Sequence, residues 1–422
     1  MKLWFYVLVC FLASAVLAHC LTPLIRILAI RWGALDVPSE RKPHERAIPT
    51  MGGAAIFLAF FIALFCIELG HVFYFHRPLF LQFRLHHLFF GALPLVLIGI
   101  LDDRYRVNYK WKLVFQILSA LIIVYFGYQI GGITHPFSGE TIQLGVLSAP
   151  VTLLWFLFII NAINFMDGID GLAAGVSLIA LMTLFAVSLF LENVQIALLS
   201  ILLVGSLVGF FRYNFYPASI FMGDTGSLFL GFLIAFIALC GAQKSSTAVA
   251  LAIPIVILGL PILDAIFAVM RRWSSEWMVS KSFSRRVFSW QRIFYPDLGH
   301  IHHRLLALGF TKPQVVALLY LVALGFGFAG FALTAARYQQ IASILFYMMF
   351  IFFIAFRKFP VTSHHLFEVS PSQMPIVSRT PTEKFSLNQE SPRFGRLIVW
   401  AAGAVLPLFV LTVFLVARMF WK

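Results

Sequence analysis

Apolar runs of about 20 residues, separated by short polar stretches, recur along most of this 422-residue chain. They are continuous and do not alternate, so they lack the period of two that marks a half-buried strand. A continuous run of that length is what a helix needs to cross a bilayer. Inside lipid every backbone N–H and C=O must find its partner within the protein, which helices achieve within a single segment. Twelve spans are predicted, near 3–30, 51–69, 85–101, 112–130, 149–165, 172–191, 195–211, 226–242, 247–270, 313–335, 340–356 and 397–418. The expected fold is an all-α polytopic integral membrane protein of about 11–12 transmembrane helices. The first run carries on to Ile30, too long for the core of a cleaved signal, and His19 stands where a lipoprotein site needs a small residue.

The polar stretches divide into two kinds. Stretches 31–50, 102–112, 212–225, 271–312 and 357–396 hold most of the Lys and Arg, whereas 70–84, 131–148, 192–194, 243–246 and 336–339 hold few. The positive-inside rule places the first group in the cytoplasm and the N-terminus outside, although Lys2 argues weakly against this. Stretch 131–148 has turn residues between short alternating runs and predicts a small hairpin. Residues 357–396 are rich in Ser, Pro and Thr without periodicity. The chain therefore divides into a transmembrane catalytic domain at 1–356, a flexible cytoplasmic linker at 357–396 and an added C-terminal transmembrane helix at 397–422. No internal repeat is evident.

Composition sharpens this picture. Only 11% of residues are charged and 61% are hydrophobic, whereas a soluble domain carries roughly a quarter charged. The formal charge of +14 would suggest nucleic acid in a soluble protein. Here it belongs to the cytoplasmic loops, is compatible with an anionic ligand, and implies no nucleic-acid partner. Cys10, Cys20, Cys66 and Cys240 all fall in apolar runs with no CxxC pair and read as packing residues.

The chemistry lies at the ends of the spans. Five of the 17 acidic residues, Asp102, Asp103, Asp167, Asp170 and Asp224, fall at predicted helix ends on the cytoplasmic side. A carboxylate at a hydrocarbon boundary is costly unless paired, protonated or bound to a cation. One such Asp is readily a cap or a solvated end; three clusters on one face point to a shared site. In LDDRYR the adjacent Asp102 and Asp103 cannot face the same way on a helix, so one can face the site while the other orients it. Lys112 opens the next helix and can reach an anion, while Arg104, Arg106 and Lys110 are accounted for by topology alone. In NAINFMDGIDG, Asn161, Asn164, Asp167 and Asp170 recur every three residues and form a polar stripe at a helix end. In FMGDTGSLFLG, glycines flank Asp224, and Thr225 and Ser227 can cap the next helix. A carboxylate beside exposed helix N–H groups suits a metal–phosphate complex, with oxygen ligands for Mg²⁺ or Mn²⁺. His300, His302, His303 and Arg304 cluster in HIHHRLLALGF, where a phosphate-binding edge fits better than zinc and a solvated loop is the plainer alternative. Asp36, Lys42, His44 and Arg46, ahead of MGG, are weaker candidates for substrate contact.

In that order, LDDRYR, NAINFMDGIDGLAAG, FMGDTGSLFLG and HIHHRLLALGF resemble the polyprenyl-phosphate N-acetylhexosamine-1-phosphate transferases over roughly residues 1–335. The resemblance implies that a membrane polyprenyl phosphate attacks the β-phosphate of a UDP-N-acetylhexosamine, directly or after an Asp has attacked first, and that UMP leaves, with Mg²⁺ (or Mn²⁺) on the pyrophosphate. It implies Asp224 and Asn164 as metal residues and Asp102 and Asp103 as the acidic pair, Asp102 serving as base or orienting group. It implies phosphate contact by Lys112, nucleotide contact by Asp167 and Asp170 (Asp170 nearer uracil), and His302, His303 and Arg304 on the pyrophosphate and sugar. HIHHRLL is similar to the branch that uses UDP-N-acetylglucosamine, or a related simple UDP-N-acetylhexosamine, to start a cell-envelope glycan, rather than the branch that takes the UDP-muramoyl-pentapeptide. The same resemblance implies undecaprenyl phosphate as acceptor, the bacterial cytoplasmic membrane as location, an active site on its cytoplasmic face, and compatibility with a homodimer. Two readings from other classes stand beside it. An ion-coupled transporter would carry acids near mid-span, where only Asp264 is found, and a non-catalytic scaffold would need none of these motifs.

Overall fold

The computed structural model describes residues 2–37, 47–80, 84–134, 141–243, 252–279 and 300–334. The predicted spans 340–356 and 397–418, the linker 357–396, and Lys42, His44 and Arg46 lie outside the described residues. The chain is an all-α polytopic membrane protein. Its helices are α1 (Lys2–Trp32), α2 (Gly52–Phe75), α3 (Leu85–Tyr105), α4 (Tyr109–Tyr125), α5 (Ser148–Met166), α6 (Leu172–Phe190), α7 (Val194–Asn214), α8 (Gly223–Gln243), α9 (Ala252–Ile257), α10 (Gly259–Val279), α11 (Ile301–Ala307) and α12 (Lys312–Thr334). Among the described residues eight helices are long and apolar enough to cross a membrane. The strands among them form two short antiparallel pairs, β1 (Leu35–Asp36) with β2 (Ile48–Pro49) and β3 (Gly132–Thr134) with β4 (Thr141–Gln143). The second pair is the hairpin expected in 131–148.

Helix ends follow local chemistry. Asn108 and Asn193 cap α4 and α7, their side chains accepting from the Lys110 and Ile196 amides. α4 stops at Tyr125 rather than near 130, because Gly127 adopts φ +88° and the Gly127 and Tyr128 amides return to the Val124 and Ile123 carbonyls. Gly309, at φ +91°, ends α11 in the same way. The predicted span 247–270 is divided into α9 and α10. Pro261 has no N–H to offer the Ile257 carbonyl and its ring crowds that carbonyl, so α9 ends at Ile257. Two cysteines depart from the packing role expected of them: Cys20 and Cys66 are exposed on helix surfaces, while Cys10 and Cys240 are buried.

α6 is apolar on every side and buried from Leu172 to Leu189, and α8 is enclosed by α2, α3, α5 and α6. α1 lies outside, packed along α7, with Phe5, Leu8, Leu12 and Val16 exposed. The first turn of α8 sits against two neighbours at backbone contact. The Gly52 and Gly53 amides donate to the Phe221 and Met222 carbonyls at 3.0 and 2.8 Å. A Cβ at Gly53 would strike the Gly226 backbone, and one at Gly99 of α3 would strike that of Thr225. The glycines of MGG thus let α2 start against α8, as the sequence suggests.

Gly53→Ala is expected to lower stability by at least ~2 kcal/mol, because backbone cannot move aside as a side chain can. Gly70→Ala, in the same helix with nothing within 4 Å of its Cβ, should be neutral or slightly stabilising. Unfolding of both variants in SDS–dodecyl maltoside mixed micelles measures the contrast.

Candidate active site

Asp102 and Asp103 end α3, Lys112 begins α4, Asn164 ends α5 and Asp224 begins α8, so alternate helix ends bring all five to one face of the bundle. The two adjacent acids diverge, as their helical spacing requires. Asp103 turns onto α8: Oδ1 accepts from the Asp224 amide at 2.9 Å, and Oδ2 accepts from the Thr225 hydroxyl at 2.6 Å and its amide at 3.4 Å. It therefore supplies the cap expected of Thr225 and Ser227. Thr225 instead donates to Asp103, and Ser227 donates to the Gly223 carbonyl.

Asp102 faces the other way. Its Oδ2 lies 2.8 Å from Lys112 Nζ, which also lies 2.7 Å from Asp224 Oδ2. Asp224 Oδ1 accepts from Asn164 Nδ2 at 3.2 Å, and that amide nitrogen donates also to Ser227 Oγ at 2.8 Å. Asp102 Oδ1 is buried without a hydrogen bond among the described residues. One turn deeper, Gln116 and Asn161 exchange amide hydrogen bonds of 2.8 and 3.4 Å between α4 and α5. Gln116 was not singled out in the sequence. A buried amide four residues after Lys112, on the same helix face, is the signal that could have found it.

The polar stripe of NAINFMDGIDG does not stay on one surface. Asn161 turns to α4 and Asn164 to α8, Asp167 closes α5, and Asp170 Oδ2 accepts from the Ala218 amide at 3.0 Å. Asp170 therefore ties two loops together with one oxygen. Gly171, at φ +76°, starts α6, and its carbonyl accepts the Tyr320 hydroxyl of α12 at 2.7 Å. Tyr320 is a further residue the sequence did not mark.

α11 brings a second cluster to the same α5 end. Asp264 of α10 is buried and accepts from His300 Nδ1 at 2.8 Å and from the Ile301 amide at 2.9 Å, which fixes the start of α11. His300 packs on Phe165, with ring centres 5.3 Å apart. His302 is only 1% exposed, neither ring nitrogen has a partner among the described residues, and a Cβ at Gly168 would collide with its Nε2. Burial, reinforced by the neighbouring His303, pushes its pKa down to about 3, so it stands neutral with both nitrogens available. His303 and Arg304 lie beside it, both half-buried.

These donors suit a hard cation that shares its ligands with phosphate. Mg²⁺ commonly takes one or two carboxylates, completing its shell with phosphate and water. Asp224, the bare Asp102 Oδ1 and the side-chain carbonyl of Asn164 are oxygen groups of that kind. No set of three His, Cys, Asp or Glu arranged for a metal occurs among the described residues.

Comparison with known proteins places these motifs in context. Residues 85–242 match the model of glycosyl transferase family 4. The chain is 37% identical over 343 residues to a Bacillus subtilis protein named "Probable undecaprenyl-phosphate N-acetylglucosaminyl 1-phosphate transferase", covering 81% of this chain and 89% of that one. It is 33% identical to the decaprenyl-phosphate N-acetylglucosaminephosphotransferase of Mycobacterium leprae, over 74% of this chain and 79% of the relative. It is 30% identical to the phospho-N-acetylmuramoyl-pentapeptide-transferase of Clostridium beijerinckii, over 73% and 89%.

The neutral His302 gives a signed pH dependence. Above pH ~6.5 folded and unfolded chains are both neutral here, and the contribution is complete. As pH falls from there towards 3, the unfolded chain takes up a proton that the folded site refuses, and stability is lost. Between pH 7.5 and 5.0 the wild type should lose about 2 kcal/mol more than His302→Gln. Micellar unfolding at both pH values reads this directly, and equal losses would show His302 to be exposed or paired.

Proposed function

The chain belongs to glycosyl transferase family 4, and on that premise we propose that it is a polyprenyl-phosphate N-acetylglucosamine-1-phosphate transferase. In this reading it transfers the sugar phosphate from UDP-N-acetylglucosamine to undecaprenyl phosphate and releases UMP. It initiates a cell-envelope glycan at the cytoplasmic face of a bacterial inner membrane. The observation that carries the reading is the cluster of Asp102, Lys112, Asn164 and Asp224 at the ends of four helices on one face. There a nucleotide from water can meet a phosphate anchored in lipid. The relatives' names support the acceptor and the sugar.

The chain's own groups divide the work. Asp224 and Asn164 would hold Mg²⁺, with Asp102 Oδ1 beside them. When bound, the ion supplies charge neutralisation at the pyrophosphate oxygens, the larger part of the assistance that phosphoryl transfer needs. Asp102 orients the lipid phosphate, or takes its remaining proton, so that an oxygen attacks the β-phosphorus as the bond to UMP breaks. Lys112 meets the negative charge of the phosphates. Asp167 and the loop tied by Asp170 face the nucleotide. Neutral His302 offers one N–H to a pyrophosphate oxygen, which would satisfy one of two ring nitrogens otherwise buried without partners among the described residues. His303 and Arg304 add to that edge, while Asp264 acts through His300 and Ile301 to position it.

The muramoyl-pentapeptide alternative rests on the Clostridium relative; HIHHRLL and the higher identities to the N-acetylglucosamine enzymes favour the simpler sugar. A transporter reading loses its main support, because Asp264 is engaged with His300 and the Ile301 amide.

Purified protein in detergent with Mg²⁺ and undecaprenyl phosphate should release UMP from UDP-N-acetylglucosamine. EDTA should stop the release, and Asp224→Asn should slow it by at least ~100-fold, about 3 kcal/mol of barrier. Release from the UDP-muramoyl-pentapeptide alone would move the assignment to the other branch. Silence with every donor from folded protein would refute the reading.

A further inference from the structure

We propose that Lys112 is a built-in stand-in for the divalent cation, holding the acidic pair in the resting site and coupling the arrival of the metal to that of the lipid phosphate. This inference rests on the functional reading above. One ammonium bridges Asp102 and Asp224 at 2.8 and 2.7 Å, with Lys112 side-chain exposure of 24%. Two carboxylates at a hydrocarbon boundary repel each other, and the lysine makes the resting pair tolerable. The same contact blocks a cation. Asp224 Oδ1 is already engaged by Asn164, so Oδ2 is the oxygen for which ammonium and metal compete. A cation entering there must expel a like charge.

The ammonium, left with Asp102 Oδ2 alone, then has room for a second anion in place of Asp224. Asp103 cannot serve, because both its oxygens are committed to the first turn of α8. The anion that enters this site is phosphate. Metal and lipid phosphate therefore assist each other: the metal frees the lysine for the phosphate, and the phosphate draws the lysine off the metal's oxygen. Linkage makes the assistance equal in both directions. A lysine suits the task, since its compact head turns on a flexible stem, whereas a guanidinium fork would hold both carboxylates in place.

The test is Mn²⁺ binding, followed by the electron paramagnetic resonance signal of free Mn²⁺, on the full chain in detergent without nucleotide sugar, so that no turnover occurs. Wild type should bind Mn²⁺ weakly alone and about tenfold more tightly with undecaprenyl phosphate. Lys112→Gln should bind Mn²⁺ alone about tenfold more tightly than wild type and gain little from the lipid phosphate. Equal or weaker binding by a folded Lys112→Gln, checked by circular dichroism and gel filtration, overturns the proposal. Should the substitution prevent folding, the wild type still decides against the idea if lipid phosphate leaves its Mn²⁺ affinity unchanged. Asp224→Asn separates the two levels of the account. If Mn²⁺ binds that variant as it binds wild type, the metal assignment itself fails; if binding is lost there while Lys112→Gln matches wild type, only the role of Lys112 fails.

Discussion

The site depends on one carboxylate and the start of one helix. Asp103 accepts the Asp224 and Thr225 amides in the first turn of α8 and the Thr225 hydroxyl, which locks the end of α3 to the beginning of α8. The bond is possible because Gly53 and Gly99 let three backbones approach where any side chain would intrude. Once it forms, the rest follows from the chain. Asp224 is the residue whose amide is held, so its side chain has a fixed origin. Asp102, next to Asp103 on a helix, must point elsewhere, and it points at Lys112. The acceptors of Asp103 fall on the first free N–H groups of α8, so the group that positions the site also stabilises the joint.

The end of α5 then joins two kinds of chemistry. Asn164 belongs to the carboxylate–lysine cluster, Phe165 carries His300, and Gly168 leaves room for His302. Groups suited to a cation and groups suited to phosphate oxygens therefore hang from one short stretch of backbone. That stretch is fixed from below by the Gln116–Asn161 amide pair and from the side by Tyr320 on the Gly171 carbonyl. Buried polar networks of this kind are costly when incomplete. Of the buried polar atoms without a hydrogen bond among the described residues, Asp102 Oδ1 and the His302 nitrogens lie where a ligand is expected, while Ser177 Oγ and Asn193 Nδ2 lie elsewhere.

Much of this was legible in the sequence, for identifiable reasons. Hydrophobic run length reports the solvent a helix must face, so eight of the ten spans up to 313–335 are recognisable, while α4 is shorter than the run 112–130 and 247–270 is divided; the hairpin in 131–148 announces itself by its turn residues. The divergence of Asp102 and Asp103 follows from helical spacing alone. What escaped was set by partners distant in the chain. Thr225 and Ser227 are the usual local caps, yet the cap of α8 comes from α3, which no window around residue 224 contains. Asp264 looked exceptional because its partners, His300 and Ile301, lie more than 30 residues on; the pairing makes it a support for α11. Asp170, placed near uracil by resemblance, spends one oxygen on Ala218, a contact created by the fold of the loop after α7.

In the proposed reaction the sugar moves together with its phosphate and not alone, and the fate of one phosphorus atom decides between the two. UDP-N-acetylglucosamine labelled with ³²P at the β-phosphate, incubated with the full chain, Mg²⁺ and undecaprenyl phosphate, should give a lipid product carrying the label, with unlabelled UMP left in water. Label retained in UDP, with sugar on the lipid, would contradict the phosphoryl-transfer chemistry assigned to Asp102, Lys112 and Asp224.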